Sequence, residues 1–286
     1  MTKRSVIITT SILVGIVAIF TILFGMVFRV RDIQVVHNKD FYHKTEINQI
    51  IKDSKLRKNT GIFSVDRDKI AYNIEKAYPN VRVDSVNISS FTSVKIKLSN
   101  REPLYYAVEE AKYYILDEDC KVLEITNDAV RAEDYIRLEN VFNVGDSVEV
   151  GDFLNGKYVK VCSNLYTSLY TYAVLNLNDG TGTFEDRYLE REDMCEVIED
   201  ISFTQVNELK GKVDKLMLNT SYGVKISIIE PQKDMGLKIN MAFSALRTII
   251  AQDIQDGTDL ATSGTIAVRY SYDKDNAITL KCEYHI

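Results

Sequence analysis

The chain of 286 residues contains no tryptophan, only 3 prolines, and 13 glycines. Such scarcity excludes a long Pro-rich or Gly/Ser-rich tether, because flexible linkers are made of the residues that keep a chain from packing. Histidine is nearly as rare. His37 and His43 flank Asn38-Lys39-Asp40-Phe41-Tyr42 with no third ligand nearby, and His285 is remote, so no metal site is expected. Four cysteines, Cys120, Cys162, Cys195 and Cys282, are widely spaced without a C-x-x-C motif. In an oxidising compartment they could pair in three ways. A chain this long does not need a disulfide frame, and buried free thiols are the expected state.

Signatures of chemistry are also missing. There is no G-x-S-x-G and no H-E-x-x-H, and Gly180-Thr181-Gly182 lacks the third glycine of a dinucleotide loop. Gly151 to Tyr158 fits G-x-x-x-x-G-K, but Tyr158 stands where a magnesium-binding hydroxyl is required, and Asp152 would repel a phosphate. This segment reads as a loop leading into a helix. Cys282 and His285, three apart on one strand, point to opposite faces. Acidic pairs such as Glu109-Glu110 and Glu192-Asp193 read as solvated surface. No catalytic residue, cofactor or metal ligand is expected, and the protein is read as no enzyme.

What the chain does have is one long apolar run, Val6 to Phe28, without a charge, between Lys3-Arg4 and Arg29/Arg31. As a helix it would reach about 34 Å, enough for a hydrocarbon core of roughly 30 Å. No A-x-A-like cleavage site follows it. The expectation is a transmembrane helix over 6–28 behind a cytoplasmic tail, 1–5, with the bulk of the chain outside the cell membrane. Both flanks carry two basic residues, and the N-terminal amine tips the count toward a cytoplasmic N-terminus. The net charge of −6 hides an asymmetry: residues 29–101 hold 15 Lys/Arg against 8 Asp/Glu, and residues 102–286 hold 18 against 33. A basic module suits an anionic leaflet, while the acidic bulk argues against a nucleic-acid partner.

The basic part has a legible order. Val30 to Val36 is β-prone. Thr45 is placed to cap a helix carrying Ile47, Ile50 and Ile51, which Asn59-Thr60-Gly61 breaks. Asp66 to Lys69 open a second helix with Ile70, Ile74 and Ala77, ended by Pro79. Two alternating strands, Val81 to Ile88 and Val94 to Leu98, follow. The order β-α-α-β-β predicts two helices on one face of a three-stranded sheet. In the acidic part, Asn155 to Tyr172 suits a helix, Lys212 to Glu230 two strands, and Leu237 to Ala251 a helix with Ile239, Phe243, Leu246 and Ile250 inward. Thr265 to Tyr272 and Ala277 to Tyr284 predict a final hairpin across Asp273-Lys274-Asp275-Asn276.

This order, with the stitch Gly61-Ile62-Phe63, the break Tyr78-Pro79-Asn80-Val81 and the exit Arg101-Glu102-Pro103, resembles the bacterial division family FtsQ/DivIB. The hairpin Tyr114 to Leu123, the helix Lys238 to Leu246 and the strand Gly264 to Tyr270 extend the likeness. Cys120 and Ala267 replace the family's usual Gly and Asp. Residues from about 125 to 200 resemble it poorly. The resemblance implies an α+β fold: a transmembrane helix, a β-α-α-β-β POTRA domain over 29–101, and a mixed β domain with helices over 102–286.

It also implies a non-enzymatic, single-pass scaffold at the division septum. Such a scaffold binds small bitopic coiled-coil proteins of the FtsB/DivIC and FtsL type, and through them the septal peptidoglycan synthase complex. Arg269 and Tyr270 correspond to the family's binding strand. Their positions extend the expected edge to Tyr272 and to the strand with Ile278 and Leu280, where an unpaired backbone can template a partner. Val86 and Ile88 lie at the POTRA edge used for other partners, although core packing explains their alternation equally well. A membrane-anchored cell-wall enzyme is the alternative from another class, and a POTRA-bearing secretion or sporulation component is the alternative from a related one.

Overall fold

The computed structural model describes residues 12–18, 27–141, 148–178, 184–208, 211–256, 264–272 and 278–285. Within the apolar run it places a helix, α1, at 12–18, whose Ile12, Leu13, Val14, Ile16 and Val17 are exposed. Seven helical residues reach about 10 Å, a third of a hydrocarbon core. Among the described residues no helix is long and apolar enough to cross a membrane, so the expected transmembrane helix over 6–28 is corrected. Residues 1–11, including the expected tail, and 19–26 lie outside the described residues. What remains of the expected fold class is α+β with mixed sheets.

The chain divides into two compact units, Met1–Arg101 and Glu102–Ile286. The first contains β1 (Asp32–His37), α2 (Ile47–Asp53), α3 (Arg67–Ala77), β2 (Val81–Ser90) and β3 (Ser93–Asn100). The sheet order is β1-β3-β2, with β3 parallel to β1 and antiparallel to β2. The carboxylate of Asp66 caps α3 by accepting the Lys69 N–H at 3.0 Å. Thr45 does not cap. It sits inside a 3-10 turn, Lys44–Glu46, and α2 begins after it. Ile50, Ile62, Ile70 and Ile74 bury against Val94, Ile96 and Leu98 of the central strand. At the unit's end the nearly buried Arg101 guanidinium donates to Glu75 at 3.0 Å. The other Glu75 oxygen accepts the Val83 N–H at 2.9 Å, so α3 is fastened to β2 as well as packed on it.

The second unit is built on one large sheet. Its strands are β4 (Tyr105–Glu109), β5 (Lys112–Leu116), β6 (Val122–Thr126), β7 (Ile136–Glu139), β10 (Ile198–Glu208), β11 (Gly211–Thr220), β12 (Lys225–Ile229), β13 (Thr265–Tyr272) and β14 (Ile278–His285). A separate hairpin pairs β8 (Val174–Asn178) with β9 (Phe184–Tyr188). The helices are α4 (Ala129–Ala132), α5 (Val159–Tyr172), α6 (Arg191–Val197) and α7 (Met235–Asp256). The nine strands run in the order β14-β13-β12-β11-β10-β7-β4-β5-β6, with β4/β7, β7/β10 and β12/β13 parallel.

Period-two alternation makes this sheet one-sided. Ile201 and Phe203, Leu216 and Leu218, Ile226 and Ile228, and Ile266 and Val268 form one cluster with Cys162, Leu165 and Leu169 of α5 and Ile239, Phe243 and Leu246 of α7. On the other face Arg137, Thr204, Lys225 and Arg269 are exposed. Asp214 of β11 ties the borders of this core together. It accepts hydrogen bonds from Lys157 and from the hydroxyl of Tyr158 (2.8 Å), Gln205 (3.2 Å) and Gln232 (2.7 Å). Burial alone would raise its pKa, but these donors hold the carboxyl down at about 2.

Phe243 sits at the centre of α7's buried stripe and is fully buried. Phe243→Ala should destabilise the second unit by about 3–5 kcal/mol, read from denaturant unfolding with the slope unchanged. A loss under about 1 kcal/mol would mean that α7 is not the helix that closes this core.

Candidate functional site

The expected binding residues gather at one end of the β13–β14 ribbon. β12 pairs with β13 only from Thr265 to Val268, whereas β14 pairs with β13 along its whole length to Tyr272. Residues 269–272 therefore lie beyond the last β12–β13 pair, and facing 278–281 they make a two-stranded extension of the sheet. Arg269 pairs with Lys281, Tyr270 with Leu280 and Tyr272 with Ile278. The turn Asp273 to Asn276 and Ala277 lie outside the described residues.

Alternation sends the neighbours to opposite faces. Arg269 is exposed on the polar face and donates to Glu283 across the pair at 3.2 Å. Tyr270 and Leu280 are half-buried on the helix-covered face, and Leu280 packs against the core. Arg269 and Tyr270 are not on the outermost strand. β14 occupies the end of the sheet order and among the described residues pairs with β13 alone, so its outer side supplies the backbone edge. The structure brings five of the seven expected residues together here. The other two belong to the first unit, in β2, which is an edge strand of its own sheet. Val86 there is buried and Ile88 half-buried, both against the isoleucine core, so what these two positions offer at the edge is the backbone of β2.

A polar clamp that sequence reading missed holds the ribbon's end. Lys238, fully buried near the start of α7, donates from Nζ to the carbonyls of Ile229 and Glu230, both at 2.8 Å. The same ammonium lies 4.8 Å from the centroid of the Tyr270 ring. The Tyr270 hydroxyl donates to the carboxylate of Asp234, just before α7. One lysine thus satisfies the carbonyls where β12 ends and supports the tyrosine where β13 continues alone. The signal was present in the sequence: Lys238 lies three after Met235 and four before Ala242, inside the apolar stripe.

The titration behaviour follows from this geometry. Burial pulls Lys238 down from its ordinary 10.5 to about 8, although Glu230 and Asp234 oppose the shift. The hydrogen bond to Asp234, with burial second, pushes Tyr270 up to about 12.

In the Gly151 to Tyr158 segment, Asn155, Gly156, Lys157 and Tyr158 line a cleft of about 730 Å³ with Glu109, Arg137 and Glu139. Its Lys157 ammonium is committed to Asp214, as found for a loop anchored to the sheet and not for a phosphate cradle.

No family model matches the sequence. The Cell division protein DivIB of Clostridium tetani (strain Massachusetts / E88) is 23% identical over 159 residues, covering 53% of this chain. The match spans 58% of that relative's length. This distant likeness supports a DivIB/FtsQ-like family.

Between about pH 8 and 10.5 the unfolded chain keeps the Lys238 proton that the folded chain has released. The unfolded state then binds more protons, so stability rises with pH across this window. Relative to Lys238→Met, the wild type should gain stability from pH 8 to 10, as measured by urea unfolding at each pH. A constant difference between the two proteins would show that the buried ammonium titrates normally.

Proposed function

We propose that this protein is a non-enzymatic scaffold of bacterial cell division, acting at the septum in association with the membrane. In this reading the first unit is a POTRA domain and the second a β domain. The outer side of β14 receives an added strand from a small coiled-coil division protein of the FtsB/DivIC or FtsL type. Septal peptidoglycan synthases are then recruited through that partner. The observation that carries the proposal is the two-stranded end of β13–β14. It is an open edge held in a fixed shape by Lys238 and Asp234, and strand addition needs an unpaired backbone on a rigid frame. The distant likeness to a DivIB protein supports the division role, and the exposed apolar side chains of α1 support membrane association. The POTRA edge at Val86 and Ile88 would contact further partners through the backbone of β2.

The proposal is tested by affinity purification of the tagged protein from its cells, followed by mass spectrometry. Wild type should recover small coiled-coil division proteins. Tyr270→Glu places a second carboxylate beside Asp234 and should lower that recovery at least tenfold while the far-UV circular dichroism stays unchanged. Recovery equal to wild type would remove the β13–β14 end as the binding site. No such partner with either protein would remove the scaffold reading.

A further inference from the structure

Cys120 occupies the turn between β5 and β6 with φ +59°, in the left-handed region that favours glycine. The turn itself does not ask for a thiol. Its geometry is set by Asp117, whose carboxylate accepts the N–H groups of Asp119 (2.9 Å) and Lys121 (2.8 Å). What the cysteine adds is a sulfur fully buried against α5, near enough to the thiol of Cys162, also fully buried, for the two to interact. One residue back in the turn and one forward in the helix, the Ser163 hydroxyl donates to Asp119 at 2.8 Å. The same two segments therefore meet twice, side by side, and Tyr105 closes over them with its hydroxyl 3.4 Å from the Cys162 carbonyl. The other two cysteines are differently placed. Cys195 reaches the Leu104 carbonyl at 4.0 Å and Cys282 the Met241 carbonyl at 3.8 Å.

We propose that Cys120 and Cys162 are a disulfide-forming pair, oxidised as the chain folds in a thiol-oxidising environment, and that the bond fastens the β5–β6 turn to α5. The oxidant is an external disulfide, either a small-molecule one or one carried by an oxidoreductase. The thiolate of one cysteine attacks it, forms a mixed disulfide and expels one thiol. The second cysteine then attacks the mixed disulfide and expels the other. Two cysteine thiols become one S–S bond, one external disulfide becomes two thiols, and the two cysteine protons leave on those thiols. Timing follows from burial. In the finished core the Cys120 thiol is held well above its ordinary pKa by the neighbouring Cys162 thiol and by desolvation, so little thiolate forms. Exchange is fast only before α5 closes over the turn. Once formed, the bond is shielded from reductants by the same core. Closing this loop should stabilise the second unit chiefly by restricting the unfolded chain.

The test is to refold the reduced, purified full chain in a glutathione redox buffer, alkylate the remaining thiols and map the peptides without reduction. The expected result is a Cys120–Cys162 cross-linked peptide, with Cys195 and Cys282 alkylated. The oxidised protein should also melt about 5–10 °C above its reduced form. This difference should vanish in Cys120→Gly, which suits the positive φ and retains the turn. The Cys195→Ser/Cys282→Ser variant keeps only the proposed pair and should form the same bond, leaving no free thiol after refolding. Four alkylated cysteines after refolding, or a cross-link through Cys195 or Cys282, would overturn the proposal. Such a failure would leave the strand-addition reading untouched, since the pair is not part of β13 or β14.

Discussion

The contact between the apolar stripe of α7 and one face of the nine-stranded sheet governs what the rest of the second unit can do. Ile239, Phe243 and Leu246 are fully buried there, beside Ile226, Ile228, Ile266 and Val268. At roughly 25 cal/mol per Å² of apolar surface removed from water, such a stripe is the main favourable term holding helix to sheet. A sheet covered on one face must leave the other face polar, and Arg137, Lys225 and Arg269 occupy it. An open sheet also has two ends, and here they are β14 and β6. The useful feature of β14 follows from the packing beneath it: α7 fixes the ribbon, and the ribbon's outer backbone is left to pair.

Lys238 links these two facts. A buried ammonium is costly unless its donors are satisfied, and the carbonyls at the end of β12 satisfy two of them. The Tyr270 ring covers the same charge, and Asp234 holds the tyrosine hydroxyl. Removal of the lysine would leave those carbonyls and that ring without support just where β13 runs beyond its inner neighbour. The polar clamp therefore holds one geometry of the edge, while the apolar core supplies the stability. Asp214 plays the corresponding part at the start of α5, where four donors converge on one carboxylate.

Local signals in the sequence were readable and distant ones were not. Asp66, the Ile70/Ile74 spacing and Pro79 place α3 to within a residue or two, because cap, stripe and stop are all local. Alternation likewise places β11 to β14, and the stripe places the centre of α7. Thr45 failed as a cap because the preceding turn tightened into a 3-10 helix that enclosed it, and α5 starts at Val159, four residues after the expected Asn155. The long apolar run suggested a membrane-crossing helix, against the seven-residue α1. Between 125 and 200, α5 is legible from its stripe and the rest is not. β7 is only four residues long and takes its place between β4 and β10 by long-range pairing, which leaves no periodic trace in so short a run. The hairpin residues of the candidate site could be named from pattern and family likeness. The clamp beneath them could not be read from the hairpin itself, since Lys238 is more than thirty residues away in sequence.

The central claim is that a partner adds a strand to β14, and backbone amides report this most directly. Hydrogen–deuterium exchange of the protein should be followed with and without a synthetic segment of a small coiled-coil division protein from the same cell. Strand addition predicts slowed exchange concentrated in 278–285, with the far edge at β6 unchanged. Binding without protection of β14, or protection appearing at β6 or β2 instead, would contradict the account.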